Sequence, residues 1–217
     1  MSKRVSIREV FDSITEKSCP ESINFHSHTT CSDGSLSPIE LISQATERGL
    51  QHLAVTDHHS VESYRLINEW LLNRSIHYTN NPKFWSGIEI SCLLRNKLIH
   101  LIGIDFDISH RAMKPYIQKQ SVVGKELLAE YVVESIHDAG GLAILAHPAR
   151  YNMNCFDLID SAFAISCDGA EAWYDYSFNK IWKPTPYICE SINLKLKSLD
   201  MLSSCGTDTH GFSLGCR

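Results

Sequence analysis

Short apolar runs alternate along this chain with stretches of helical period. INFH (23–26) and HLAVT (52–56) read as strands. Between them Ser37 supplies an N-cap, Pro38 a first helical residue and Gly49 a stop, which predicts a helix. Ser60 caps a second helix running toward Trp70. FWSGIEIS (84–91) and KLIHLIGI (97–104) predict two strands joined through a turn at Asn96. A long helical pattern spans about 122–138, carries Lys125, takes in Lys119 at its start and stops at Gly140-Gly141. LAILAH (142–147) is a buried strand, and a short helix follows near Phe156. Residues 169–173 form another strand, Thr185-Pro186 opens a helix, and MLSSCGTD (201–208) is the last strand. Strand–helix alternation with apolar strands implies an α/β fold on a parallel sheet, open or closed into a barrel. No repeat or linker divides the chain, so 1–217 reads as one domain with an N-terminal extension over 1–22.

The polar residues fall where this pattern makes them informative. His26 and His28 end the first strand, Asp57 and His58 the second, and Glu89 the third. His147 ends the LAILA run, and Asp208 and His210 follow the last strand. In a parallel barrel the C-terminal strand ends converge on one mouth, where active sites are built. Imidazoles and carboxylates repeatedly placed there imply a metal cluster.

Composition narrows the choice. At 43% hydrophobic and 21% charged residues over 217 positions, the chain is an ordinary globular domain able to bury a core. A formal charge of -5 gives no broad basic surface, so long duplex nucleic acid is not the expected partner. The first residues, MSKRVSIREVF, have no apolar signal core, and no run is long enough to cross a bilayer. The eight cysteines are scattered without a CxxC pair, which fits reduced thiols in a cytoplasmic protein.

The candidate ligands are His26, His28, Asp33, His58, Glu89, His100, His147, Asp208 and His210. Nine donors exceed the need of one ion and suit two or three divalent ions, Mn²⁺, Zn²⁺ or Fe²⁺. Close divalent ions generate hydroxide and neutralise charge during displacement at phosphorus. Taken singly, His100 fits a core histidine and Asp33 before Gly34 fits a turn residue. The joint pattern favours ligation. His52, His77, His110 and His137 match no motif and read as surface or structural. Trp173, Tyr174 and Tyr176 read as core, with base stacking at the mouth as the alternative.

HSHTTCSDGS, AVTDHHS, GIEIS, HLIGI, LAHPAR and GTDTHG, in this order, resemble the polymerase-and-histidinol-phosphatase (PHP) family of metallophosphoesterases. The resemblance runs from 23 to 217. It implies a distorted (β/α)7, TIM-like barrel with a trinuclear centre at the C-terminal ends of the strands. His26, His28, Glu89 and Asp208 would hold one ion, and Glu89, His100 and His147 a second. Asp33, His58 and His210 would hold the third. The branch that removes the 3′-phosphate of nucleoside 3′,5′-bisphosphates and trims short RNA from its 5′ end is similar, through HPARY (147–151) and LGCR (214–217).

The resemblance makes Arg150 a substrate-phosphate contact. Asp57 is expected to orient a ligand or shuttle a proton rather than bind metal, with His210 the other candidate for proton transfer. The sizeable insert usual in that branch has no room here, since only a short connection over 105–121 precedes the next helix. His59 stands where aspartate or asparagine is common. The expected activity is a phosphoesterase for a small nucleotide. The alternatives are a phosphatase for another ester, such as histidinol phosphate, or a non-catalytic module that binds metal or nucleotide.

Overall fold

The computed structural model describes residues 5–74 and 81–216. His77 and Arg217, and with Arg217 the end of LGCR, lie outside them. The elements run α1 (Ile7–Asp12), β1 (Ile23–Asn24), α2 (Pro38–Glu47), β2 (His52–Ala54), α3 (Glu62–Arg74), β3 (Lys83–Trp85), β4 (Gly87–Leu94) and β5 (Lys97–Ile104). They continue with α4 (Ala129–Asp138), β6 (Leu142–Leu145), α5 (Cys155–Ala164), β7 (Gly169–Trp173), α6 (Ile188–Ser198) and β8 (Leu202–Cys205). The fold is mixed α/β, and no helix among the described residues is long and apolar enough to cross a membrane.

Local chemistry explains the helix starts. Ser37 and Glu40 cap one another at the head of α2, with Pro38 at its first position, and Gly49 follows its end with a φ of +76°. Ser6 and Glu9 form the same box on α1. That short helix drives Val10 and Phe11 into the core, where Phe11 stacks on Phe25 at 5.1 Å. Each such buried side chain contributes about 1.5–3 kcal/mol of transfer free energy.

The strands form a three-stranded sheet in the order β1-β2-β3 and a five-stranded sheet in the order β4-β5-β6-β7-β8. Isolated parallel bridges pair Ser27 with Thr209 and His58 with Glu89, so residues just past β1, β2 and β8 link one sheet to the other, the last of these bridges meeting Glu89 inside β4.

The structure corrects the expected sheet. β5 runs antiparallel to both β4 and β6. The cause is the two-residue turn at Arg95-Asn96, both with positive φ, because a hairpin can join only antiparallel strands. Glu89 consequently lies inside β4 rather than at a strand end.

The helical pattern over 122–138 also divides. Gly124–Leu127 is a 3₁₀ turn, Leu128 is extended and bridges Leu93, and α4 begins only at Ala129. Lys125 sits in the 3₁₀ turn and Lys119 precedes it, so neither is on α4, although both are exposed. α6 opens at Ile188, after Tyr187, rather than at Thr185-Pro186.

Candidate metal centre

Two close approaches bring the donors together. A Cβ on Gly206 would lie 2.2 Å from the His26 Cβ, so glycine lets the end of β8 meet the end of β1. A Cβ on Gly34 would lie 2.4 Å from the His28 carbonyl carbon, so glycine there folds the 29–34 turn against His28. That turn is held from below by Asp57. Its buried carboxylate accepts from the Thr29 N–H (2.7 Å), the Thr29 hydroxyl (2.7 Å) and the Ser32 hydroxyl (2.8 Å).

All nine predicted residues meet in one cluster with Glu89 at its middle. Glu89 Oε2 lies 3.1 Å from His26 Nε2, 3.1 Å from His28 Nε2 and 3.4 Å from His58 Nε2. Its Oε1 lies 2.8 Å from His100 Nδ1 and 3.2 Å from His147 Nε2. Asp208 Oδ1 is 3.3 Å from His26 Nε2 and 3.2 Å from His28 Nε2. Asp33 reaches His210 at 3.2 Å, His28 at 3.4 Å and His58 at 3.7 Å.

The donors fall into overlapping sets: His26, His28, Glu89 and Asp208; His28, Asp33, His58 and His210; and His58, Glu89 and His100. His28 and His58 thus stand between groups that the resemblance separates, and His147 joins through Glu89. One end of the cluster is buried, whereas Asp33, His58 and His210 are partly open to solvent.

The spacing and charge fit divalent cations. Both His28 nitrogens are buried without a hydrogen bond, although carboxylate oxygens lie within 3.4 Å. Atoms about 2.1 Å from a shared ion stand roughly 3.0–3.4 Å apart, and the His28 nitrogens lie 3.1–3.4 Å from the Glu89, Asp208 and Asp33 oxygens. Burial opposes charge on His26, yet the Glu171, Glu89 and Asp208 carboxylates hold it protonated, well above its usual range. Burial opposes charge on His28 too, but Asp208 and Glu89 raise it to about 9. Burial lowers His58 to about 4. The His210 contact holds Asp33 below the usual carboxylate range. Glu89 and Asp208 are also held low by the facing imidazoles, against the effect of burial. Three anionic carboxylates that hold His26 and His28 protonated make a site in which a cation can replace those protons.

Several bracing residues were not legible as such in the sequence. Glu171, fully buried, faces His26 Nδ1 at 2.9 Å and accepts the His147 N–H at 2.8 Å. It leaves His26 Nε2 for the cluster, an orientation typical of metal-ligating histidine. A carboxylate inside the apolar run GAEAW was the available signal, because a buried charge requires a partner. The Tyr174 hydroxyl donates to Asp208 at 2.5 Å, so this aromatic residue is a support of the site and not a stacking platform. The Tyr151 hydroxyl accepts the His100 N–H at 2.8 Å.

Arg150 donates to Asp208 Oδ2 at 3.0 Å and to the Tyr174 hydroxyl at 3.1 Å. His59 is buried, accepts the Ser91 N–H at 3.2 Å and donates its own N–H to the Glu89 carbonyl at 3.0 Å. Of the other histidines, His52 packs on Trp85 and His137 pairs with Asp168 at 2.8 Å, both away from the cluster.

Comparison with known proteins places this arrangement in a family. Residues 24–181 match the PHP domain, and the chain belongs to that family. It is 29% identical to the 5′-3′ exoribonuclease Rnm of Salmonella typhimurium over 145 residues, covering 61% of this chain and 48% of that protein. It is 30% identical over 91 residues to a 3′,5′-nucleoside bisphosphate phosphatase of Chromobacterium violaceum, covering 42% of this chain and 30% of that protein. The chain spans about half the length of the Salmonella typhimurium and Escherichia coli exoribonucleases it matches.

Among solved structures, an amidohydrolase from Chromobacterium violaceum superposes with a TM-score of 0.72 at 19% identity, covering 89% and 90% of the two chains. A candidate metal-dependent phosphoesterase from Bifidobacterium adolescentis gives 0.71 at 18% identity over 91% of each chain. These two likenesses concern the fold.

Proposed function

We propose that the chain is a metal-dependent phosphoesterase that hydrolyses a phosphate monoester of a small nucleotide. The 3′-phosphate of a nucleoside 3′,5′-bisphosphate is the preferred target, and short RNA is trimmed from its 5′ end. The observation that carries the reading is the donor spacing around Glu89 and His28, with nitrogen and oxygen atoms 2.8–3.4 Å apart and no hydrogen bond to either His28 ring nitrogen. The exoribonuclease and bisphosphate-phosphatase relatives support the substrate class. We read the two sheets, linked by the Ser27–Thr209 and His58–Glu89 bridges, as one distorted (β/α)7 barrel in which β3 and β4 form a single strand broken at Ser86. On this reading 1–217 is a single domain acting in the cytoplasm, in keeping with eight free cysteines.

The nine residues would hold two or three divalent ions, with Glu89 shared between them. Such ions supply Lewis acidity toward a phosphate oxygen and lower the pKa of water. The chain's own groups do the rest. Glu171 fixes the His26 ring and the His147 backbone. His210 turns Nδ1 to the Asp208 carbonyl at 2.9 Å, which leaves Nε2 as a donor atom toward Asp33. A nitrogen so used has no proton to give, so His210 acts as a ligand. Asp57, with both oxygens engaged, positions the 29–32 turn and moves no proton. Arg150 is anchored on Asp208 through Nη1, which leaves other guanidinium N–H groups for a phosphate oxygen.

The test is initial turnover of Mn²⁺-loaded protein on adenosine 3′,5′-bisphosphate, 5′-phosphorylated short RNA, histidinol phosphate and an aryl phosphate. The bisphosphate should give the highest kcat/KM. A preference for histidinol phosphate would reassign the substrate, and inertness toward all four would contradict the phosphoesterase reading.

A further inference from the structure

Beside the open end of the centre lies a cavity of about 430 Å³, walled by Cys31, Ser32 and Asp33, by His58 and His59, and by residues 119–121. Its volume falls within the range of small-molecule sites. The connection after β5 builds the far wall. There Lys119 is left-handed, with φ +59°, and its N–H donates at 2.8 Å to the carbonyl of His59, itself left-handed at +51°. Non-glycine residues in this region persist where their surroundings force them, and they cluster at functional sites. His147 (+30°) and Asp208 (+50°) are the other left-handed residues of the mouth, and both belong to the centre. Lys119 is left-handed without touching the centre.

The Lys119 ammonium forms no ion pair with any described residue. The remaining walls offer the Ser32 and Ser121 hydroxyls and the Gln120 amide, and no Phe, Tyr or Trp lines the cavity. Asp33 is the one carboxylate on the walls, and its oxygens are engaged by His210 at 3.2 Å and His28 at 3.4 Å. Arg150, bound to Asp208, is not part of this cavity.

We propose that the cavity is a subsite for the non-reacting phosphate of a substrate that carries two, with Lys119 as its cation. The proposal rests on the phosphoesterase reading. A phosphate at the metal centre and a second one near Lys119 would then span the Asp33–His58 rim, and the short connection over 105–121 would supply selectivity in this chain.

The experiment compares metal-loaded wild type with Lys119→Asn and Lys119→Arg on adenosine 3′,5′-bisphosphate and adenosine 3′-monophosphate. Asparagine tolerates left-handed backbone, so Lys119→Asn removes the charge with little strain. The ratio of kcat/KM values, bisphosphate over monophosphate, should fall by about tenfold or more in Lys119→Asn, mainly through KM, and recover in Lys119→Arg. Bound Mn²⁺ should equal that of wild type. An unchanged ratio overturns the subsite, as does Lys119→Asn protein that has lost metal, since Lys119 would then be a support of the centre. Wild-type protein inert on both nucleotides would overturn the phosphoesterase reading itself, and the subsite with it.

Discussion

Replacing Glu89 with glutamine keeps the side chain's shape and removes its charge from the point where five imidazoles meet. Those rings, from His26, His28, His58, His100 and His147, stand 2.8–3.4 Å from its oxygens. Opposite unit charges about 4 Å apart are worth about 4 kcal/mol at an effective dielectric near 20. A carboxylate shared between two cations at shorter range contributes at least that much, even after the amide oxygen recovers part of it. Glu89→Gln should therefore weaken metal retention or raise the barrier by about 4 kcal/mol, close to a thousandfold. The ladder between β4 and β5 is backbone, and the surrounding strands are apolar, so the fold should persist. The assay measures turnover, bound metal and thermal melting on one preparation. Turnover and metal content should fall together, with the circular dichroism spectrum unchanged and Tm lowered only by the lost metal linkage. Near-normal turnover in Glu89→Gln would refute the shared-carboxylate arrangement.

Other consequences are as specific. In chelated protein, His28, raised to about 9, stabilises the fold fully below about pH 6.5 and loses that effect as pH rises through 9. Glu89 and Asp208, held low, stabilise above their ordinary values of 4.5 and 3.8 and lose the effect on acidification. Burial acts the other way on His58, lowered to about 4, whose neutral form stabilises above about pH 6.5 and loses that effect on acidification. Metal-free stability should thus peak near pH 6.5, and the Mn²⁺-induced rise in Tm should be larger at pH 8 than at pH 6, because metal displaces protons. An equal rise at both pH values would contradict the proton–metal competition. Glu171→Gln should weaken Mn²⁺ binding by about 10–100-fold in a chelator competition, and unchanged affinity would reduce Glu171 to packing. Arg150→Ala should lower kcat/KM for mono- and bisphosphates by similar factors, because the guanidinium sits on Asp208. A loss confined to the bisphosphate would move Arg150 to the second phosphate.

The donors were legible because they are polar residues punctuating apolar strands, and their motifs carry fixed order and short spacing. What sequence could not show was direction and support. The turn at Asn96 was visible and demanded an antiparallel β5, but the regular alternation elsewhere suggested a parallel sheet. The 122–138 pattern kept its helical period while Leu128 left the helix to bridge Leu93, a tertiary pairing that local periodicity does not record. Asp57 sits beside His58 in sequence, yet its carboxylate turns to Thr29 and Ser32. Glu171 and Tyr174 lie on or next to a strand whose residues are all buried, so their roles follow from the partners they reach and not from any alternation. Lys119 read as a solvated helix residue, and only its left-handed backbone, tied to His59, brings it to the mouth.

The central claim is that one cluster of nine side chains holds divalent ions and thereby hydrolyses a phosphate ester. It is tested most directly by titrating chelated protein with Mn²⁺ while following both bound metal and phosphate released from adenosine 3′,5′-bisphosphate. No release is expected from the chelated protein, and turnover should appear only as more than one equivalent binds. Turnover that survives chelation, or full turnover with one equivalent or less, would contradict it.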